Sequence, residues 1–260
     1  MKTKTTLAIF FSFTVLVSQA QLTAPDKIPI KKKEELTIQP IKHATLVLSY
    51  NNKTIYIDPT GDAEMYEGLP DPDMILITDI SKDHFDLRTL ESIHTAKAVM
   101  VVPEEVAYRL PDGLIKKELV IFKNGDMRMM NGIGVAAIPM YSLPETKDAY
   151  YKRGRGNGYV VGIGGKNIYI SGETDAIPEM RELKDIDIAF IAMNLPNTMN
   201  AKQAAETVLE FKPAIVYPYD YLGQDISNFK TIINEADKNI DVRLRNWYPT
   251  GSTAALNARQ

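Results

Sequence analysis

The 260-residue chain contains no cysteine. That excludes disulfides, a lipidated N-terminal cysteine, a thiol nucleophile and thiolate metal ligands. Histidine is scarce as well: there are only three, His43, His84 and His94. A Ser-His-Asp triad would have to use one of them, and no Gly-x-Ser-x-Gly turn is present to support it. Neither sign of charge dominates. The formal charge of −3 leaves no electrostatic footprint for nucleic acid or an anionic membrane surface.

Long apolar runs are also missing, except at the very start. There "LAIFFSFTVLV" (7–17) follows Lys2 and Lys4 and precedes Ser18-Gln19-Ala20, small residues where a signal peptidase reads. The run is short for a bilayer span and no stop-transfer pattern follows it. Residues 1–20 are therefore expected to be a secretory signal peptide, with an uncleaved anchor as the minority alternative. The mature protein is then secreted or periplasmic, without stable membrane insertion. Losing Lys2 and Lys4 takes the formal charge from −3 to −5. The polar, proline-containing stretch 21–35 ("QLTAPDKIPIKKKEE") is read as a tether, leaving 36–260 as a single domain.

What is present is a succession of short strands, with helices between them later in the chain. "HATLVLSYNNKTIYIDP" predicts a hairpin through Asn51-Asn52, and "GYVVGIGGKNIYISG" another through Gly164-Gly165. "DMILITD", "KAVMVVP", "IDIAFIAM", "AIVYPY" and "DVRLR" read as further strands. Helical spacing marks "LRTLESI", 104–109, 177–183, "NAKQAAETVLEF" and "ISNFKTIINEA". Two similar halves of this kind predict an α/β (α+β layered) fold, two packed sheets with helices outside them. Several apolar strands run straight into polar loops that carry Asp79, Asp83, His84, Glu173, Asp175 and Asp220. Loops at the carboxyl ends of strands gather at one sheet edge, where sites form.

The stretch "TDISKDHFDLRTL" (78–90) concentrates the question, because Asp83-His84 looks built to hold a metal. Together with "KRGRGNGYVVGIGGKNIYISGETD", "IPEM" and "MNLPNTMNAKQAAE", it resembles the metallo-β-lactamase superfamily, in its lactonase-like branch of small metal-dependent hydrolases. The resemblance runs from about Ile41 to about Tyr221. It implies an αββα sandwich of two mixed β-sheets flanked by helices, with metal ligands at one edge. It also implies a His-x-His-x-Asp-His motif after Thr78, in which Asp83 and His84 match while Asp79 and Ser81 stand in for histidines. Tyr151 takes the place of a third histidine, Glu173 that of a bridging aspartate and Asp220 that of a last histidine. Two of seven expected ligands are kept.

The resemblance thus implies a metal set of Asp79, Asp83, His84, Glu173 and Asp220, with Asp83 as both ligand and catalytic base. Zinc follows by kinship, but the oxygen-rich set favours Mn²⁺, Mg²⁺ or Ca²⁺. Tyr151, Arg153, Arg155 and Asn194 are the expected contacts of a small-molecule substrate, Arg forks being suited to carboxylate and phosphate. His43 is read as a hydrogen-bonded structural histidine rather than a catalytic one. The expected activity is hydrolysis of an ester, lactone or phosphoester bond. The alternative is an inactive pseudoenzyme without an ion, binding or sensing in the cell envelope. Geometry is to separate the two: carboxylates gathered around His84 support the first, and carboxylates paired with Arg153 and Arg155 the second.

Overall fold

The computed structural model describes residues 22–249, Lys32 and Asn197 excepted. The expected signal peptide, 1–20, lies outside the described residues. Among the described residues, fourteen strands form two seven-stranded sheets. The first holds β1 (Asp26–Lys31), β2 (Glu34–Lys42), β3 (Thr45–Tyr50), β4 (Lys53–Ile57), β5 (Met74–Leu76), β6 (Val99–Val102) and β7 (Glu118–Ile121), in that order. The second runs in reverse, from β14 (Asp241–Val242) through β13 (Ile215–Tyr219), β12 (Ile188–Ala192), β11 (Lys166–Ile170), β10 (Gly156–Ile163) and β9 (Ile133–Met140) to β8 (Met127–Met130). In each half the first four strands pair antiparallel and the rest parallel. The similarity of the two halves is therefore topological.

Strand alternation decides which layer each side chain enters. In β12, Ile188, Phe190 and Ala192 face the core between the sheets. Ala189 and Ile191 face the helices α3 (Pro178–Arg181), α4 (Ala201–Phe211) and α5 (Ile226–Ala236). In β4, Ile55 and Ile57 join the central core while Tyr56 packs outward, on the side of α1 (Leu87–Ser92) and α2 (Glu104–Ala107). The result is the αββα layering. Phe190 stacks on Tyr217 with ring centroids 4.9 Å apart at its centre, and its truncation to Ala would cost about 3–5 kcal/mol. Among the described residues, no helix is long and apolar enough to cross a membrane.

One expectation is corrected here. The stretch 26–31, expected within the tether, is strand β1, paired antiparallel with β2. Ile28 is buried in the central core while Lys27, Pro29 and Lys31 are exposed. Lysines and a proline on the outer face are how edge strands avoid further pairing. That composition is what made the segment read as a linker. The strand predicted from "DVRLR" is shorter than expected, with only Asp241–Val242 in the sheet.

Candidate metal centre

Five strands deliver their following residues to one edge. Asp58 follows β4, Thr78 and Asp79 follow β5, Glu173 follows β11, Asn194 follows β12 and Asp220 follows β13. His84 sits in the turn after β5, its backbone N–H bonded to the Ser81 carbonyl at 2.9 Å. Close approach is needed where β10 and β11 meet Thr78. A Cβ on Gly156 would lie 2.6 Å from the Thr78 carbonyl oxygen, and one on Gly172, whose φ is +60°, 2.5 Å from Met140 Sδ.

His84 is fully buried and held from behind. Its Nδ1 lies 2.7 Å from Asp58 Oδ2 and 2.9 Å from the Thr78 hydroxyl. That hydroxyl and the Thr78 N–H both donate to Asp58, each at 2.7 Å. An ionised carboxylate only accepts, so Nδ1 carries the proton in the neutral ring and the Nε2 lone pair points forward. Ahead of Nε2 stand Glu173 Oε1 and Asp220 Oδ2, each 3.7 Å away. The Asn194 amide donates to Glu173 Oε1 at 3.2 Å and steadies it.

The electrostatics are those of an anionic hole. Burial works against a charged His84, yet Asp58, Asp220 and Glu173 outweigh it and hold its pKa well above the ordinary range. Burial pushes the Glu173 carboxyl up to about 7, against the pull of His84. Burial also acts to raise Asp220, but His43 and His84 facing it hold it below the usual carboxylate range. His84 Nε2, Glu173 Oε2 and both Asp220 oxygens are buried without a hydrogen-bond partner among the described residues. Unsatisfied buried polar atoms are costly and rare. Here one imidazole nitrogen and two carboxylates, with ligand atoms within 4.8 Å of one another, fit a small divalent cation.

Of the expected metal set, His84, Glu173 and Asp220 come together. Asp83 groups instead with His43 and Asp220, on the outer side. Asp79 is placed differently: its Oδ1 accepts from Arg155 Nη2 at 2.7 Å and from the Ser81 N–H at 2.9 Å, while its Oδ2 is buried without a hydrogen-bond partner among the described residues. Its charge is already neutralised, and it joins neither group. Arg155 also donates to Ser81 Oγ at 3.2 Å and to the Tyr150 carbonyl at 2.9 Å, and lies 4.9 Å from the Tyr151 ring centroid. Three of the four positions where the resemblance expects a histidine and the chain has another residue, Asp79, Ser81 and Tyr151, thus surround a cation belonging to the protein. Arg153 pairs with Glu145 and Glu179 and lies over the Tyr141 ring.

Asp58 was not foreseen. It ends the strand in "YIDP" and obeys the same rule as the other acids, a carboxylate after an apolar strand. His43 is not the satisfied structural histidine expected, for its Nδ1 is buried and has no hydrogen-bond partner. Asp58, His43 and Asp220 all adopt positive φ, at 44°, 47° and 41°. Such conformations cost about 1–3 kcal/mol each and collect at functional sites. His43 and Asp83 border a cleft of about 830 Å³ that also includes Thr60, Lys82, Arg88 and Leu222.

Comparison with known proteins agrees with this geometry. Residues 37–220 match the family described as the beta-lactamase superfamily domain. The chain is 28% identical over 211 residues to a metal-dependent hydrolase of Pyrococcus abyssi, covering 75% of this chain and 91% of that one. It is similar to the crystal structure of a Parabacteroides distasonis protein named for metal-dependent hydrolysis, with TM-score 0.77 and 36% identity, covering 86% of this chain and 98% of that one. A metallo hydrolase of Ignicoccus hospitalis shares the fold, with TM-score 0.67 and 21% identity over 80% of this chain and 94% of that one.

Proposed function

The chain belongs to the beta-lactamase superfamily, and from that premise we propose that it is an exported metal-dependent hydrolase whose ion is held by His84, Glu173 and Asp220. The observation that carries this reading is that ligand atoms of the three residues lie within 4.8 Å of one another, where His84 Nε2, Glu173 Oε2 and both Asp220 oxygens are buried without a partner. One nitrogen and several carboxylate oxygens favour Mn²⁺, Mg²⁺ or Ca²⁺ over the zinc that kinship suggests. Such an ion supplies Lewis acidity, polarising a carbonyl or phosphoryl oxygen and lowering the pKa of water.

The chain's own residues do the rest. Asp58 keeps the Nδ1 proton of His84, so that Nε2 offers its lone pair. Asn194 holds the Glu173 carboxylate in place. Asp83, half-buried at the cleft, is the base that accepts the proton of the attacking water. An oxygen-rich site activates water less than a zinc pair, which favours an ester, lactone or phosphoester bond over an amide.

The Asp79–Arg155 ion pair supports a second reading, a binding or sensing protein of the cell envelope that has given up catalysis. A thermal melt of the mature, chelator-stripped chain against Zn²⁺, Mn²⁺, Mg²⁺ and Ca²⁺ separates the two. An ion at about 100 times its Kd stabilises by about 2.7 kcal/mol, roughly 5–10 °C for a domain of this size. The hydrolase reading expects that shift, its loss in Glu173→Ala, and turnover of aryl ester or phosphodiester substrates by the same ion. No shift with any ion leaves the binding protein. Export is tested by N-terminal sequencing of the protein from the native host, with Gln21 expected first.

A further inference from the structure

Among the described residues, the most exposed large apolar side chain is Met127, at 78%, and Met129 beside it is 70% exposed. Both belong to β8, the last strand of its sheet, and no strand among the described residues pairs with its outer side. Strand alternation sends Met130 into the central core and the two exposed methionines to the opposite face, beside Ala136 and Gly134 of β9. We propose that this margin is a dimer interface, at which β8 pairs antiparallel with β8 of a second copy about a twofold axis at Met127. The inference is independent of the metal centre.

The backbone of β8 is open where a partner strand binds. The Ala137 N–H donates to the Asp126 carbonyl at 2.8 Å, which makes Met127 and Ala136 a non-hydrogen-bonded pair. The N–H and C=O of Met127 therefore point away from β9, and by alternation so do those of Met129. An edge of this kind is a template for another chain unless something opposes it. At β1, the edge of the other sheet, exposed Lys27, Pro29 and Lys31 oppose it. β8 has no proline and a single charge, Arg128.

Charge points to a second copy as the occupant and selects the register. An axis at Arg128 sets the two Arg128 side chains opposite each other, and like charges so placed repel. An axis at Met129 leaves Arg128 opposite Met130. An axis at Met127 sets Asp126 of each copy opposite Arg128 of the partner subunit, giving two ion pairs. Both groups have capacity left: Asp126 accepts from the Lys123 N–H through Oδ2 at 2.7 Å, and Arg128 donates to Glu118 through Nη1 at 3.1 Å. A specific interface covers roughly 800 Å² on each partner, more than one short strand supplies. Partly exposed Ala136, Ile138 and Val160 continue the methionine face across β9 and β10.

Sedimentation velocity of the mature chain over a range of concentrations tests this, with thermal melts confirming that each variant is folded. The wild type is expected to be a reversible dimer. Met127→Pro removes an N–H that β9 does not use, and is expected to raise the dissociation constant by about 30-fold, two hydrogen bonds across the axis being lost. Asp126→Lys is expected to weaken the dimer as well, and its combination with Arg128→Glu to restore it. The chain has no cysteine, so Met127→Cys introduces a single thiol. Hydrogen-bonded partners across antiparallel strands have Cα atoms about 5.5 Å apart, within disulfide reach. Oxidation with copper phenanthroline is expected to link Met127→Cys and not Met129→Cys. Linkage of Met129→Cys alone overturns the axis at Met127. A dimer unmoved by both Met127→Pro and Asp126→Lys lies elsewhere on the surface and overturns the proposal. A monomer at every concentration also overturns it, and if that monomer floats with phosphatidylglycerol vesicles the methionines face a membrane surface instead.

Discussion

Arg155 donates from Nη2 to Asp79 Oδ1 at 2.7 Å, across 76 positions of the chain, and the carboxylate it meets is fully buried. A buried carboxylate without a compensating cation is costly. Arg155→Met keeps most of the side-chain volume and leaves the charge uncompensated. It is expected to lower the unfolding free energy by about 3 kcal/mol at neutral pH, and the double variant with Asp79→Asn to recover most of that. Urea unfolding of the four proteins completes the cycle. An Arg155→Met protein within about 0.5 kcal/mol of wild type, the usual range of a neutral surface change, would show that the pair carries no such weight.

Asp58 orients His84 from behind, Oδ2 to Nδ1 at 2.7 Å. Partners of this kind typically contribute 10–100-fold to metal affinity. Asp58→Asn is therefore expected to weaken Mn²⁺ binding by about that factor while leaving the ligand atoms of Glu173 and Asp220 in place. Isothermal titration of the two proteins measures it. Equal affinities would mean that Thr78 alone suffices to hold the ring.

The ion-free protein should lose stability as the pH rises. Burial moves the Glu173 carboxyl from its ordinary 4.5 up to about 7, so folding favours its protonated form. The contribution is fully present below the unfolded value and disappears as pH passes through the folded one. His84 acts in the same direction, since its folded pKa is also raised. The loss from pH 5 to pH 8 is expected to reach about 3 kcal/mol, and Glu173→Gln to remove most of it. Melts of the chelator-stripped chain across that range decide the matter, and a flat profile contradicts the burial argument. A bound ion reverses the trend, because it displaces the protons.

β1 closes the fold through Asp26, which accepts from the Tyr217 hydroxyl at 2.7 Å and pairs with Arg245. Burial acts to raise its pKa, but Arg245, Tyr217 and Arg243 together lower it. Asp26→Ala should cost about 1–2 kcal/mol near neutral pH, in line with hydrogen bonds to a charged group. For a depressed carboxyl the contribution is present above the unfolded pKa and is lost as pH falls through the folded one. The gap between wild type and variant should therefore close on acidification below about pH 3.5, the ordinary aspartate range. A gap unchanged at low pH would assign the effect to packing instead.

Much of the fold could be read from residues close together in the chain. Continuous apolar runs mark β3, β4 and β12, because each strand is buried on both faces. The same rule missed β1, whose exposed lysines and proline imitate a linker. At the site, acids directly after strands pointed to Glu173 and Asp220. Asp58 obeys that rule too, although its place after the β3–β4 hairpin carries no local sign of a site.

By itself, the sequence determined the elements, their order, and the residue types available at one edge of the sandwich, because those follow from local periodicity and turn chemistry. Tertiary structure alone decided how those residues share their charges. It gave Arg155 to Asp79 and turned the two oxygens of Asp220 toward different imidazoles. It left Asp83 beside His43 rather than beside Glu173. The reason is distance along the chain: these partners belong to different strands, and only the packing of one sheet on the other brings them within a few ångströms.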